Sequence, residues 1–151
     1  MKKIIFLPLI IFITACSNET TGIESFAADK EKTYNWRLVT SWPKNYPGLG
    51  MAPERIADLV EEMSDGQMKI TVYGAEEQVP AFGVFDAVSS GSHQMGHSGG
   101  YFWKGKVPAA QFFTSVPFGL TADEINAWVN RGGGLELWRE IYAPFNIYPI
   151  P

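Results

Sequence analysis

The chain has 151 residues, 46% hydrophobic and 19% charged, with 15 Gly and 10 Pro, which is a globular composition of about one domain's length. One cysteine excludes an internal disulfide, and two histidines leave little for a histidine-built metal site. A formal charge of −4 argues against a nucleic-acid partner, which needs a basic face.

Lys2 and Lys3 precede an almost unbroken apolar run over residues 4–13. A stable span needs about 20 apolar residues, so the run reads as a secretory signal. The string Ile13-Thr14-Ala15-Cys16 resembles the bacterial lipobox. It predicts that residues 1–15 are removed and that Cys16 carries lipid, anchoring the protein to a membrane surface without a span. The alternative is an ordinary signal cleaved elsewhere, with Cys16 a spare thiol. Residues 16–34 are polar and lack sustained periodicity, as expected of a disordered tether. The folded body is then residues 35–151, outside the cytoplasm.

Within the body, Trp36, Leu38 and Thr40 alternate with Arg37, Val39 and Ser41 as a strand. After a Pro-rich loop, Pro53 is placed to open a helix whose inward face is Ile56, Leu59, Val60 and Met63, ended by Gly66. Met68, Ile70 and Val72 form a second strand and close a β-α-β unit. Pro80 opens a second helix with Phe82, Phe85 and Val88 inward, ended by Gly91, and a short third strand comes next over residues 94–97. Thr121 and Glu124 have capping-box spacing ahead of Ile125, Trp128 and Val129. Gly132, Gly133 and Gly134 break that helix; Leu135, Trp138, Ile141 and Tyr142 mark another, and residues 146–150 read as a strand. The alternation predicts an α/β domain with a mostly parallel sheet flanked by helices, its binding crevice at the carboxyl ends of the strands.

Three motifs invite chemistry. Gly96-His97-Ser98-Gly99-Gly100 matches the nucleophile elbow of a secreted serine esterase. However, an elbow requires a helix after the serine and a histidine later in the chain. The next residues are Tyr101-Phe102-Trp103-Lys104-Gly105, where no helix is expected, and neither histidine comes later. Without a base Ser98 is an ordinary alcohol. His93 and His97 have the i,i+4 spacing of a helical metal pair, but on a strand they stand about 13 Å apart. Gly48-Leu49-Gly50 resembles a dinucleotide loop only faintly, with Pro53 in the third glycine's place. There remains the glycine- and aromatic-rich segment 98–108, typical of a ligand-pocket wall, with Tyr101 offering a phenol and Trp42 and Trp103 flat faces.

The string Thr40-Ser41-Trp42-Pro43 and the block from Gly96 through Tyr101-Phe102-Trp103-Lys104-Gly105-Lys106-Val107-Pro108-Ala109 resemble the solute-binding subunits of tripartite ATP-independent periplasmic (TRAP) transporters. The branch is that of 2-oxo acid, mannitol/chloroaromatic and C4-dicarboxylate binders, and the resemblance covers residues 36–151. It implies a Venus-flytrap periplasmic binding protein, of which this chain is the first of two lobes, and a binding protein rather than an enzyme. The implied partners are a small carboxylate ligand (a 2-oxo monocarboxylate such as pyruvate first), the membrane permease subunits and a membrane reached through the lipid anchor; a homodimer is compatible with it. It also implies that Tyr101 hydrogen-bonds the acid while Trp42 and Trp103 shape the apolar side. No cofactor is expected in this portion. The carboxylate-clamping arginine of the family and its cation ligands, for Na or Ca bridging the substrate, belong to the second lobe. Arg37, Arg55, Arg131 and Arg139 are therefore read as surface charge, and the chain alone is expected to bind poorly or not at all.

Overall fold

The computed structural model describes residues 32–114 and 116–151. The expected signal, the lipobox with Cys16 and nearly all of the tether lie outside them. Three parallel strands, β1 (Tyr34–Thr40), β2 (Met68–Tyr73) and β3 (Met95–His97), form a sheet in the order β2-β1-β3. The register pairs Leu38 with Val72 on one side and with Met95 on the other, and Thr40 with His97.

Because side chains alternate across a strand, β1 sends Leu38 to one face and Val39 to the other. Leu38 and Val72 meet Ala57 of helix α1 (Met51–Met63), while Val39 meets Val84 and Ala87 of helix α2 (Val84–Ser89). The sheet is thus covered by a helix on each face, as parallel sheets require. Helix α1 starts without a side-chain cap; the Tyr46 and Gly48 carbonyls accept its first amides instead. Its end is a Schellman turn, with Gly66 N–H on the Glu61 carbonyl and Asp65 N–H on that of Glu62.

Helices α3 (Ala122–Arg131) and α4 (Gly134–Tyr142) meet around Phe113, whose ring stacks on Trp128 at 5.4 Å and on Trp138 at 5.2 Å. The capping box at Thr121 and Glu124 is complete. Thr121→Ala is expected to lower stability by about 1 kcal/mol, read as a reduced urea midpoint at constant slope. Phe85, Val107, Ala110 and Tyr142 form a further core cluster, which Trp103, Trp138 and Phe145 border.

Four local expectations are corrected. Ile56 and Met63 face outward, at 45% and 77% exposure, because the buried residues of α1 are Pro53 and Ala57, of which Ala57 packs on the sheet. Pro53 is the third residue of α1, not its first. Phe82 is 68% exposed, since Ala81–Gly83 is a separate 3₁₀ turn that rotates it away from the inward face of α2. Residues 146–150 form no strand; Pro149 has no N–H to give a ladder, and a 3₁₀ turn at Ala143–Phe145 leads instead into irregular chain. Among the described residues no helix is long and apolar enough to cross a membrane.

His93 is buried in the bend between α2 and β3. Ser92 Oγ spends its hydrogen on the Ala87 carbonyl at 2.8 Å, so His93 Nδ1–H donates to Ser92 Oγ at 3.1 Å and Nε2 is left buried without a partner. Burial, and after it the Arg37 guanidinium, hold its pKa below the ordinary 6.5. The unfolded chain takes up this proton as pH falls through that value, while the folded chain resists it. The associated stability is therefore complete above 6.5 and is lost as pH falls toward the lowered pKa. Thermal melts are expected to show a lower midpoint at about pH 5 than at about pH 7, with a smaller difference in His93→Gln.

Candidate functional site

The carboxyl ends of β1 and β3 lie side by side, the position where open α/β sheets bind ligands. Beyond Thr40 come Ser41 and Trp42; beyond His97 come Ser98, Gly99 and the 3₁₀ turn Gly100–Trp103. That turn corrects the expectation of no helical structure after Ser98, although a single turn leaves the elbow comparison unimproved. Two glycines let the segment run where it does. A Cβ on Gly96 would stand 2.8 Å from the methyls of Val84 and Val88, and one on Gly100 would stand 2.6 Å from the Ala110 carbonyl oxygen.

Tyr101 is 44% exposed; its ring folds back over Gly99, where a Cβ would lie 2.6 Å from Tyr101 Cζ. It sits 4.5 Å from the ring of Phe102, which in turn lies 6.1 Å from Trp42 and 5.1 Å from Phe82. Tyr101 and Trp42 thus belong to one aromatic wall, joined by Phe102. Trp103 points the other way: its indole N–H donates to the Tyr142 hydroxyl at 2.6 Å and its ring packs 5.3 Å from Phe85. The Trp42 carbonyl accepts the Ala75 amide at 3.0 Å, fixing the loop after β1 to the end of β2.

Hydroxyls line the other side. Ser41 Oγ donates to the Ala81 carbonyl at 2.7 Å, which commits its hydrogen. Its 2.5 Å contact with Ser98 Oγ must then be donated by Ser98. The proton of Ser98 therefore goes to a second hydroxyl rather than to a base, and both histidines are engaged elsewhere, His93 on Ser92 and His97 on Thr40. The esterase reading lacks its second member, and no support for it remains.

His97 is half-buried. Its Nδ1 lies 3.3 Å from Thr40 Oγ1, its ring 5.0 Å from Trp42, and burial alone lowers its pKa below 6.5. The ring is accordingly neutral at pH 7. Among the described residues no group of three or more His, Cys, Asp or Glu side chains is gathered where an ion could sit. The arginines lie apart: Arg55 and Arg131 are exposed, Arg37 donates to the Ser92 carbonyl, and Arg139 lies 4.4 Å over the Tyr148 ring. A separate apolar groove of about 370 Å³ runs between residues 113–129, Trp138 and Pro151.

The sequence pointed to Tyr101, Trp42 and Trp103; the first two share the wall, Trp103 packs against Tyr142 and Phe85 instead, and Thr40, Ser41 and Phe102 were missed as members of the same cluster. The signal was available, since Thr40 and Ser41 end the first strand and parallel sheets bind at that end.

Comparison with known proteins bears on this arrangement. The profile of the bacterial extracellular solute-binding proteins, family 7, matches residues 38–148. A monocarboxylate 2-oxoacid-binding periplasmic protein of Nostoc sp. (strain PCC 7120) is 47% identical over 116 residues, covering 77% of this chain and 32% of that protein. A TRAP periplasmic solute-binding protein of Pseudoalteromonas atlantica T6c, solved with bound sodium and pyruvate, is 48% identical with a TM-score of 0.77, over 80% of this chain and 36% of that one. Its counterpart from Colwellia psychrerythraea, with bound calcium and pyruvate, is 43% identical with a TM-score of 0.77, over 80% and 37%. The chain spans about a third of the length of each of these relatives. The parallel sheet with its flanking helices is part of a lobe of the TRAP periplasmic binding-protein fold. With its profile matched from the middle of β1 almost to the last residue, the chain belongs to family 7 of the bacterial extracellular solute-binding proteins.

Proposed function

We propose that the chain is the first lobe of a TRAP solute-binding protein that captures a small carboxylic acid outside the cytoplasm and hands it to a membrane permease. A 2-oxo monocarboxylate such as pyruvate is the favoured ligand. The observation that carries this is the wall formed by Trp42, Phe102 and Tyr101 at the strand ends, in a chain 48% identical to a relative solved with pyruvate. Such a wall provides an apolar face with a phenolic tip, suited to a ligand with a methyl or methylene on one side and oxygens on the other.

The lobe acts by binding alone. Tyr101 supplies a hydrogen bond to the acid, Trp42 the apolar face, and Trp103 holds the turn that carries Tyr101 by pinning it to Tyr142. A carboxylate calls for a guanidinium in bidentate geometry, and the strand-end cluster contains none. That clamp, together with any sodium or calcium beside the ligand, is assigned to the second lobe of the full-length protein. Closure is then a shift in hinge population driven by contacts made with both lobes. Lipid on Cys16 would hold the protein at the membrane in the periplasm, and pairing of two copies is compatible with the fold.

Calorimetry of the full-length protein against pyruvate, other 2-oxo acids, lactate and C4-dicarboxylates is expected to give micromolar affinity for at least one; no binding by any of them refutes the proposal. Tyr101→Phe is expected to weaken binding by about 1 kcal/mol, one neutral hydrogen bond. Unchanged affinity would remove Tyr101 from the site.

A further inference from the structure

We infer that His97 is a positioning residue: acting with Thr40, it fixes both the backbone and the ring of Trp42, and this clamp is made only while the imidazole is uncharged. The inference deepens the reading of Trp42 as a ligand wall and rests on it. Thr40 is 1% exposed, so its hydroxyl must find its partners inside the protein. A hydroxyl has one hydrogen to give and two lone pairs to receive. The Trp42 amide donates to Thr40 Oγ1 at 3.2 Å and occupies one lone pair. The other contact of Thr40 Oγ1 is His97 Nδ1 at 3.3 Å, which takes the hydroxyl hydrogen. Nδ1 is therefore the bare nitrogen, and Nε2 carries the proton of the neutral ring.

The same imidazole lies 5.0 Å from the Trp42 ring, tilted 55°. Its own backbone is set by the strand, with Thr40 as register partner and the Ser41 amide on the His97 carbonyl at 3.1 Å. Thr40 thus fixes where Trp42 leaves the strand and His97 fixes how its ring lies. Protonation breaks the arrangement. A hydrogen on Nδ1 can only donate to the remaining lone pair of Thr40 Oγ1, which reverses the bond and leaves the hydroxyl hydrogen buried without an acceptor, a costly state. The groups facing His97 are Thr40 and Ser41 from β1 and Trp42 from the loop beyond; all are uncharged, and burial is the single cause that lowers its pKa. The clamp is consequently complete at neutral pH and released in acid.

The test needs no ligand and uses the 151-residue chain. In ¹H–¹⁵N spectra the Trp42 indole signal, assigned by its loss in Trp42→Phe, is expected to follow one protonation step centred below 6.5, with the midpoint of the His97 ring itself. His97→Asn, whose amide oxygen can accept from Thr40, is expected to keep the neutral-pH signal position and abolish the step. Thr40→Val is expected to displace the signal. An indole that stays still while His97 titrates, or that still titrates in His97→Asn, overturns the inference. Should Thr40→Val fail to fold, the titration of the unmutated chain decides alone. In the full-length protein His97→Ala is expected to weaken pyruvate binding about fivefold, with His97→Asn close to the parent; equal affinity in all three overturns the positioning role. A full-length protein that binds none of pyruvate, other 2-oxo acids, lactate and C4-dicarboxylates would sink the proposed function and leave the indole titration to judge the clamp.

Discussion

Phe85→Ala is expected to destabilise the chain by about 3–5 kcal/mol, the cost of deleting a buried aromatic ring. Phe85 is buried among Trp103 at 5.3 Å, Tyr142 at 6.0 Å and Phe145 at 5.3 Å, three rings contributed by two stretches of chain far apart in sequence. Trp103 and Tyr142 cannot collapse into the vacancy independently, because they are tied together by the indole hydrogen bond. The penalty therefore includes most of the cavity, not only the lost transfer of the ring from water. Urea denaturation followed by circular dichroism is the measurement, with the midpoint falling sharply at unchanged slope. A loss below about 1.5 kcal/mol, the range of a volume-conserving swap, would mean that this cluster is looser than its geometry implies. The site is affected too, because Trp103, which ends the Gly100–Trp103 turn, packs on this same ring.

Gly100→Ala is expected to cost about 1–3 kcal/mol through a different cause. A Cβ there would stand 2.6 Å from the carbonyl oxygen and 3.2 Å from the carbonyl carbon of Ala110. Both are backbone atoms, so no rotamer change relieves the clash and the turn bearing Tyr101 must move away from Pro108–Phe113. Gly105→Ala is the matched control, since a Cβ at Gly105 meets nothing within 4 Å and its φ is ordinary. It is expected to be neutral or to stabilise by up to about 1 kcal/mol, by restricting the unfolded chain. Thermal melts of the two variants should separate clearly, and coincident melts would refute the steric argument.

The first two strands were legible because their period-two patterns compete with nothing. Met68, Ile70 and Val72 read as one face in any setting. The capping box was legible for the same reason, being a local exchange between Thr121 and Glu124 that involves no distant partner. Where direction depended on tertiary packing, the sequence was ambiguous. Ile56 and Pro53 lie on the same short helix, and only the position of the sheet decides that the smaller apolar surface goes inward. Phe82 and Phe85 differ in burial because a 3₁₀ turn precedes α2, a change of pitch that periodicity cannot register. Residues 146–150 alternate acceptably, yet a strand exists only beside a partner, and Pro149 withholds the N–H that one would need.

The candidate site divides along the same line. Tyr101 and Trp42 announced themselves by type and neighbourhood. The opposite aims of Tyr101 and Trp103, two residues apart in one turn, result from the rotation of that turn alone. The hydroxyl pair Ser41–Ser98 and the Thr40–His97 contact each join residues 57 apart in sequence, a proximity created by strand order and invisible to any local pattern.

The central place of β1 sets the order in which the molecule can be completed. Its partners begin at Met68 and at Met95, so the earliest made of these three strands must wait for both of the others. A polypeptide emerging amino end first must hold Leu38, Val39 and Thr40 unpaired on one side until His97 has been synthesised. Such dependence on distant pairing slows folding and prolongs the unstructured interval, and an extended chain is the form that passes most readily through a translocation channel.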